Sequence, residues 1–262
     1  MIEDYQEVEN RINTLLTTFE TISIKGLDKV SLLNRIDVKY AFHIHDFEAI
    51  LEEIRDNYMV LEIKDQRLFD YESVYFDTED FLLYKHHHNG KLNRMKVRIR
   101  KYVDSNIHFF EVKYKVKATR TDKRRVKRSN MDRNFSEAEK AIVSYPQITA
   151  DDLKEKLTIF YKRITLVSKK LNERLTLDVG LRYHAKNDKT IAFQELIVAE
   201  IKTDKTSFSS PILKSLKARH MEQIKMSKYS LGVALLEDIK SNNLKPSLLK
   251  IQRIITKWKQ KL

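Results

Sequence analysis

Residues 94–102 read RMKVRIRKY and residues 107–117 read IHFFEVKYKVK. Successive side chains of a strand point to opposite faces, so residues i, i+2 and i+4 share one. The first stretch sets Met95, Val97 and Ile99 against Lys96, Arg98 and Arg100. The second sets Phe110, Val112, Tyr114 and Val116 against Glu111, Lys113, Lys115 and Lys117. Both therefore read as strands with one apolar and one cationic face.

Outward from this pair, strands are expected at 72–77, about 123–128, 158–167, 173–183 and 191–202. Their short separations favour antiparallel pairing over βαβ crossovers. The stretch 161–166 sets Tyr161, Arg163 and Thr165 opposite Ile164 and Leu166, and 173–179 alternates Leu175, Leu177 and Val179 with Arg174, Thr176 and Asp178. A half-solvated sheet has one polar face in any case. Solvated faces ordinarily mix signs, however, and from Lys113 to Arg128 nine basic residues stand against the single acid Asp122. Like charges opposite one another across strands are destabilising. Such a face is kept where a polyanion or a metal complex compensates it.

The flanks read as helical. Ile2, Tyr5, Val8, Ile12, Leu15, Leu16, Phe19 and Ile22 recur at helical spacing. Asn34 to Ile44 reads as extended, and Asp46 as the cap of a helix from Phe47 to Asn57. Ser136, with Glu139 three residues on, predicts a capping box ahead of a short helix ending near Ser144. Helices are expected again at 209–220 and 228–240. In the tail, Leu244, Leu248, Ile251, Ile255, Trp258 and Leu262 form a heptad-like stripe.

Composition narrows the chemistry. The 262 residues are 42% hydrophobic, enough for a core, and 33% charged, above the ~25% of ordinary domains. Four Gly and three Pro mark no linker. A net charge of +13 points to an anionic partner. The absence of Cys excludes disulfides, thiolate catalysis and Cys-based zinc sites. The start, MIEDYQEVEN, lacks a signal-peptide layout, and no run of ~18 apolar residues exists, so a soluble, cytoplasmic protein is expected.

Glu111 and Glu200 interrupt the cationic pattern, each followed two residues later by Lys. A carboxylate there repels phosphate unless a divalent metal lies between, and Mg²⁺ typically takes one or two carboxylates plus phosphate oxygens. An internal ion pair with a neighbouring Lys or Arg is the alternative. His86-His87-His88 reads as a polar turn before Asn89-Gly90 rather than a metal site.

These blocks, taken in order, resemble the VTC-type polyphosphate polymerase domain of the triphosphate tunnel (CYTH-like) superfamily over about residues 20–240. They are LDKVSLLNRIDVKY (27–40), SVYFDT (73–78), KVRIRKY (96–102), FEVKYK (110–115), YKR (161–163), ERLTLD (173–178), AEIK (199–202) and KMSKY (225–229). The resemblance implies an α+β fold: a closed antiparallel β-barrel, the triphosphate tunnel, flanked by helices at both termini. The expected layout is a single domain, with an N-terminal helix at 1–24, the tunnel at 25–240 and a basic amphipathic helix at 241–262.

It implies a metal-dependent polymerase that moves the γ-phosphate of ATP onto inorganic polyphosphate. Arg98, Arg100, Lys113 and Lys228 are the implied catalytic residues. Lys39, Lys96, Lys115, Arg125, Arg163, Arg174, Lys202, Lys225 and Ser227 would bind phosphate. Glu200, with Glu111 as second candidate, would hold Mn²⁺ or Mg²⁺. The paired-carboxylate ExExK signature of the superfamily is absent from the N-terminus, which disfavours simple triphosphate hydrolysis.

The competing readings are a non-catalytic sensor of polyphosphate or inositol phosphates, and a tunnel triphosphatase. Nucleic acid is not expected, because Phe76, Phe110 and Tyr114 fall away from the cations. Seven basic residues and no acid between Lys240 and Leu262 raise attachment of the tail to a membrane surface or membrane protein. Packing of that helix on the domain is the alternative.

Overall fold

Alternating strands assemble the centre of the molecule. The computed structural model describes residues 5–28, 36–116, 121–203 and 210–259. In chain order these form α1 (Tyr5–Leu16), β1 (Glu20–Ile22), α2 (Ile24–Asp28), β2 (Ile36–His43), α3 (Phe47–Ile54), β3 (Tyr58–Leu61) and β4 (Phe69–Asp77). Then follow α4 (Leu82–His88), β5 (Arg94–Tyr102), β6 (Ile107–Lys115), β7 (Thr121–Arg128), α5 (Glu137–Ile142) and β8 (Lys154–Ser168). The last elements are β9 (Glu173–Ala185), β10 (Thr190–Phe193), β11 (Leu196–Thr203), α6 (Pro211–Ala218), α7 (Lys228–Leu236) and α8 (Lys245–Lys259).

One sheet runs in the order β2-β11-β9-β8-β4-β5-β6-β7, with every neighbouring pair antiparallel. At its side, β3 pairs antiparallel with β8 and parallel with β1, and β10 pairs with β9. The expected closed barrel is corrected here: among the described residues no ladder joins β2 to β7, and the sheet is open. A ladder there would bring Lys123, Arg125 and Lys127 onto the face that carries Lys39. Like charges set opposite one another cost energy. The sheet nevertheless curls. Five strands separate β2 from β6 in sheet order, yet Lys39 of β2 and Glu200 of β11 act electrostatically on Lys113 of β6.

Alternation gives the sheet two outer cores. Leu175, Leu177, Ile164, Leu166 and Ile201 pack against α1, α3 and α6. Val97, Ile99, Phe110 and Val112 pack against Leu83 of α4 and the segment around Val143 and Ile148. On the concave face, α7 fills one end against Tyr75, Leu157, Tyr183 and Val198. The fit is close at Gly232, where an added Cβ would stand 2.5 Å from both Leu157 and Tyr183 side-chain atoms. A register shift between β8 and β9 after Phe160 accompanies Gly180, whose φ of +60° suits glycine. It keeps Asp178 opposite Arg163 and Tyr183 opposite Ile159.

Several local expectations change. The first helix ends at Leu16, and residues 20–22 join the sheet as β1. Asp46 has helical backbone and makes no side-chain cap bond, and the helix after it ends at Ile54 in a 3₁₀ turn. The strand expected at 191–202 is two strands, β10 and β11. The three histidines close α4 rather than forming a turn. The capping box at Ser136 forms as expected. Of the tail stripe, Ile251 is buried and Leu244, Leu248 and Ile255 pack on the core beside α7. That packing occupies the part of the stripe from Leu244 to Ile255; the side chains of Trp258 and Leu262 lie outside the described residues. No helix among the described residues is long and apolar enough to cross a membrane.

Candidate functional site

The concave face is apolar where α7 fills it and cationic elsewhere. On β5, Arg98 donates from Nε to Glu111 Oε2 at 2.6 Å and from Nη1 to Tyr75 Oη at 3.0 Å. Arg100 donates to Ser73 Oγ at 3.2 Å and Tyr161 Oη at 3.0 Å, with its guanidinium 5.4 Å from the Tyr71 ring centre. These neutral hydroxyls and rings fix both guanidinium groups, and only Arg98 has a carboxylate partner among these contacts. Burial raises the Glu111 carboxyl, but Arg98 and Arg100 outweigh it and hold it below its ordinary value.

Across the cleft, Arg163 grips Asp178 in a two-bond fork at 2.6 and 2.8 Å, and Lys228 at the start of α7 donates to the same carboxylate. Glu200 is held by Lys39 at 3.0 Å through one oxygen and by Lys202 through the other. Lys96 donates to Ser227 Oγ at 2.6 Å, and that hydroxyl also caps α7. Burial, then Lys113, Arg94, Lys39 and Arg98, push the Lys96 ammonium well below its ordinary pKa. Lys113 reaches water in the cleft, yet its enclosure and nearby Lys123 lower its pKa to about 8, although Glu200 opposes the shift.

The fold thus gathers Lys39, Lys96, Arg98, Arg100, Lys113, Arg163, Lys202, Ser227, Lys228, Glu111 and Glu200 about one space. Arg125 shares the face opposite Glu111, 4.8 Å from the Phe109 ring centre. Lys115 stands across from Arg94 at the end of β6. Arg174 lies opposite Lys202 and sends Nη2 to the Leu27 carbonyl at 3.2 Å, toward α2. Lys225 is exposed, and its carbonyl accepts from Ser247 of α8. Lys29 to Arg35, part of the first resembling block, and Lys117 lie outside the described residues.

Sequence reasoning placed Tyr161 on this face beside Arg163 but passed over the rest of its aromatic share. Phe76, Phe110 and Tyr114 do point into an outer core, as expected. Tyr71, Tyr75 and Tyr161, however, interleave with the cations, and Tyr75 stacks on Tyr229 at 5.2 Å. Burial raises the Tyr75 phenol, but Arg98, Arg100 and Lys228 turn the net shift downward. Period-two reading of β4 from Ser73 would have found Tyr71 and Tyr75. Asp77 was also missed: it accepts from Leu83 N and Tyr84 N at the start of α4, and from Tyr229 Oη at 2.6 Å. His86 and His88 bind Tyr145 and Asn243, and no three metal-ligating side chains converge among the described residues.

A curled antiparallel sheet with a cation-lined concave face and a helix at one end makes a cleft suited to an anionic ligand. The chain belongs to the VTC domain family, whose match spans residues 34–237. No curated protein is significantly similar in sequence. An adenylyl-cyclase-like protein from Hippeastrum, described with a dominant triphosphatase activity, shares the fold. It has 10% identity and a TM-score of 0.51, over 78% of this chain and 97% of that one. An adenylate-cyclase-like protein from Bacillus halodurans is 15% identical, with a TM-score of 0.45, over 74% of this chain and 96% of that one.

Proposed function

We propose that this protein is a metal-dependent polyphosphate polymerase, transferring the γ-phosphate of ATP to a growing polyphosphate chain in its basic cleft. The observation that carries the reading is the crowding of cations from β2, β5, β6, β8, β11 and α7 about one space. Burial first, and then this crowding, depress the proton affinity of both Lys96 and Lys113. A polyanion relieves this repulsion; a neutral ligand does not.

Phosphoryl transfer depends on in-line positioning and charge neutralisation more than on a covalent nucleophile. Arg98 and Arg100 stand two residues apart on β5, about 6–7 Å along it, so they reach different, non-adjacent phosphates of one chain. Held by Tyr75, Glu111, Ser73 and Tyr161, they grip the donor in fixed geometry. Lys39, Lys96, Lys113, Lys202, Arg163 and Lys228 hold the rest of the chain. The terminal phosphate of that chain is already an anionic nucleophile, so no His or Ser base is required.

Glu200 fits a Mg²⁺ or Mn²⁺ ion that takes most of its ligands from phosphate and water. Both of its oxygens now meet ammonium groups, and phosphate offers those ammonium groups another anion. When bound, the ion neutralises charge on the transferring group. Glu111, committed to Arg98, is the weaker candidate. The decisive test is incubation with ATP and Mn²⁺ followed by gel analysis for long phosphate polymers. Phosphate release without polymer makes the protein a triphosphatase; binding without turnover makes it a sensor.

A further inference from the structure

We infer that Asp178 limits how tightly the α7-side wall of the cleft grips phosphate, acting as a fixed counter-anion behind Arg163 and Lys228. The inference rests on the phosphate reading above and adds a residue that reading does not use.

Asp178 lies on β9, directly across the ladder from Arg163 on β8. Its side chain is 2% exposed, against 17% for Arg163 and 16% for Lys228. Solvent, and therefore a ligand, meets the two cations and not the carboxylate. Arg163 commits Nε and Nη2 to the two carboxylate oxygens, so only Nη1 of its fork lies outside this pair. Tyr71 and Tyr161, stacked on one another, both stand beside the guanidinium with ring centres at 5.2 Å, and the Lys228 ammonium lies 4.7 Å from the Tyr161 ring centre. Both cations are thereby fixed in place.

Burial raises the Asp178 carboxyl, but Arg163 and Lys228 overcome it and hold its pKa at about 2, so it stays ionised at working pH. Two cations and one anion leave the trio with a net charge of one. A site that must bind a phosphate chain and then let it advance needs enough charge to hold it and not so much that it is trapped. The mostly shielded carboxylate supplies that restraint without touching the ligand.

The test is calorimetric binding of tripolyphosphate at low salt to wild type, Asp178→Asn, Lys228→Gln and the double variant. Asp178→Asn is expected to bind roughly tenfold tighter or more, the effect of one unit charge a few ångströms from the ligand. Damage to a merely structural residue would weaken binding instead. Asp178→Asn leaves two cations without their buried partner and can fail to fold. The double variant then carries the test. It restores the net charge of one, and it is expected to bind more tightly than Lys228→Gln alone. Equal or weaker binding by Asp178→Asn than by wild type, or by the double variant than by Lys228→Gln, overturns the inference. Wild-type protein that binds no tripolyphosphate overturns the phosphate reading itself, which separates the two failures.

Discussion

Glu200 and Asp178 each bridge two cations on the same concave face, yet 22% of the Glu200 side chain is exposed against 2% of Asp178. A half-buried carboxylate exchanges partners at modest cost, because water covers it in transit. A fully buried one cannot, since losing either partner leaves an uncompensated charge in a poorly solvated place. Burial alone would raise the Glu200 carboxyl, but Lys39 and Lys202 hold it far below the ordinary carboxylate range. One composition, a carboxylate with two cations, therefore gives an exchangeable site in one place and a fixed one in the other.

Replacing the exchangeable carboxylate has the largest expected effect on the reaction. Glu200→Gln keeps the shape and removes the charge. It should lower Mn²⁺-dependent synthesis about a hundredfold, the value of several kcal/mol of charge stabilisation. Polyphosphate binding should persist. Unchanged turnover by this variant would take the metal away from Glu200.

Filling the cleft should stabilise the whole molecule. A ligand bound only by the folded state adds ~2.7 kcal/mol at a hundredfold excess over Kd. Thermal melting with tripolyphosphate should therefore shift upward at low salt and less at high salt. A transition that ignores the ligand at low salt would mean that the clustered cations serve no phosphate.

Arg98 and Arg100 sharpen the contrast, since neutral hydroxyls and rings hold them in part. Removing one charge-assisted contact costs ~1.5–3 kcal/mol, so Arg98→Ala or Arg100→Ala should slow synthesis roughly ten- to hundredfold. Affinity for long polyphosphate should fall far less, because many cations share the polymer. Turnover and affinity measured on the same preparations check this, and equal proportional losses would refute a donor-holding role.

Asp77 supplies a third kind of carboxylate, buried and satisfied by backbone N–H groups and the Tyr229 hydroxyl. Burial raises its pKa despite those bonds. Tyr229→Phe should cost about 1.5 kcal/mol of stability, read from denaturant unfolding, because one donor to a buried anion is lost. A stability equal to wild type would show that the backbone donors suffice.

The smallest expected effect is on pH dependence. The Lys113 pKa is lowered to about 8 in the ligand-free cleft, chiefly by enclosure and Lys123. Well below pH 8 the Lys113 ammonium is already charged, and binding takes up no proton at this side chain. As pH rises past 8, the free protein loses that proton and a polyanion must restore it, so affinity falls. Because Lys113 reaches water, the loss between pH 7 and 9 should stay below about tenfold, and calorimetry in buffers of different ionisation enthalpy would detect the proton uptake. Affinity that rises over this window would contradict the assignment.

Period-two alternation identified both faces of β5 and β6 and the polar side of β8 and β9, and the short separations between strands identified the antiparallel class. These follow from backbone geometry that every strand obeys. Spacing and cap chemistry likewise identified α5, and most of α3 and α8. The tertiary structure decided what alternation cannot carry: which cation meets which carboxylate, and how much water each pair sees. It turned α8 onto the core, split residues 190–203 into two strands, and closed α4 with three histidines. It also left β2 and β7 unpaired among the described residues. Local sequence specifies direction along one strand, whereas curl, edge pairing and burial depend on distant segments whose charges and side chains meet only once the sheet has bent.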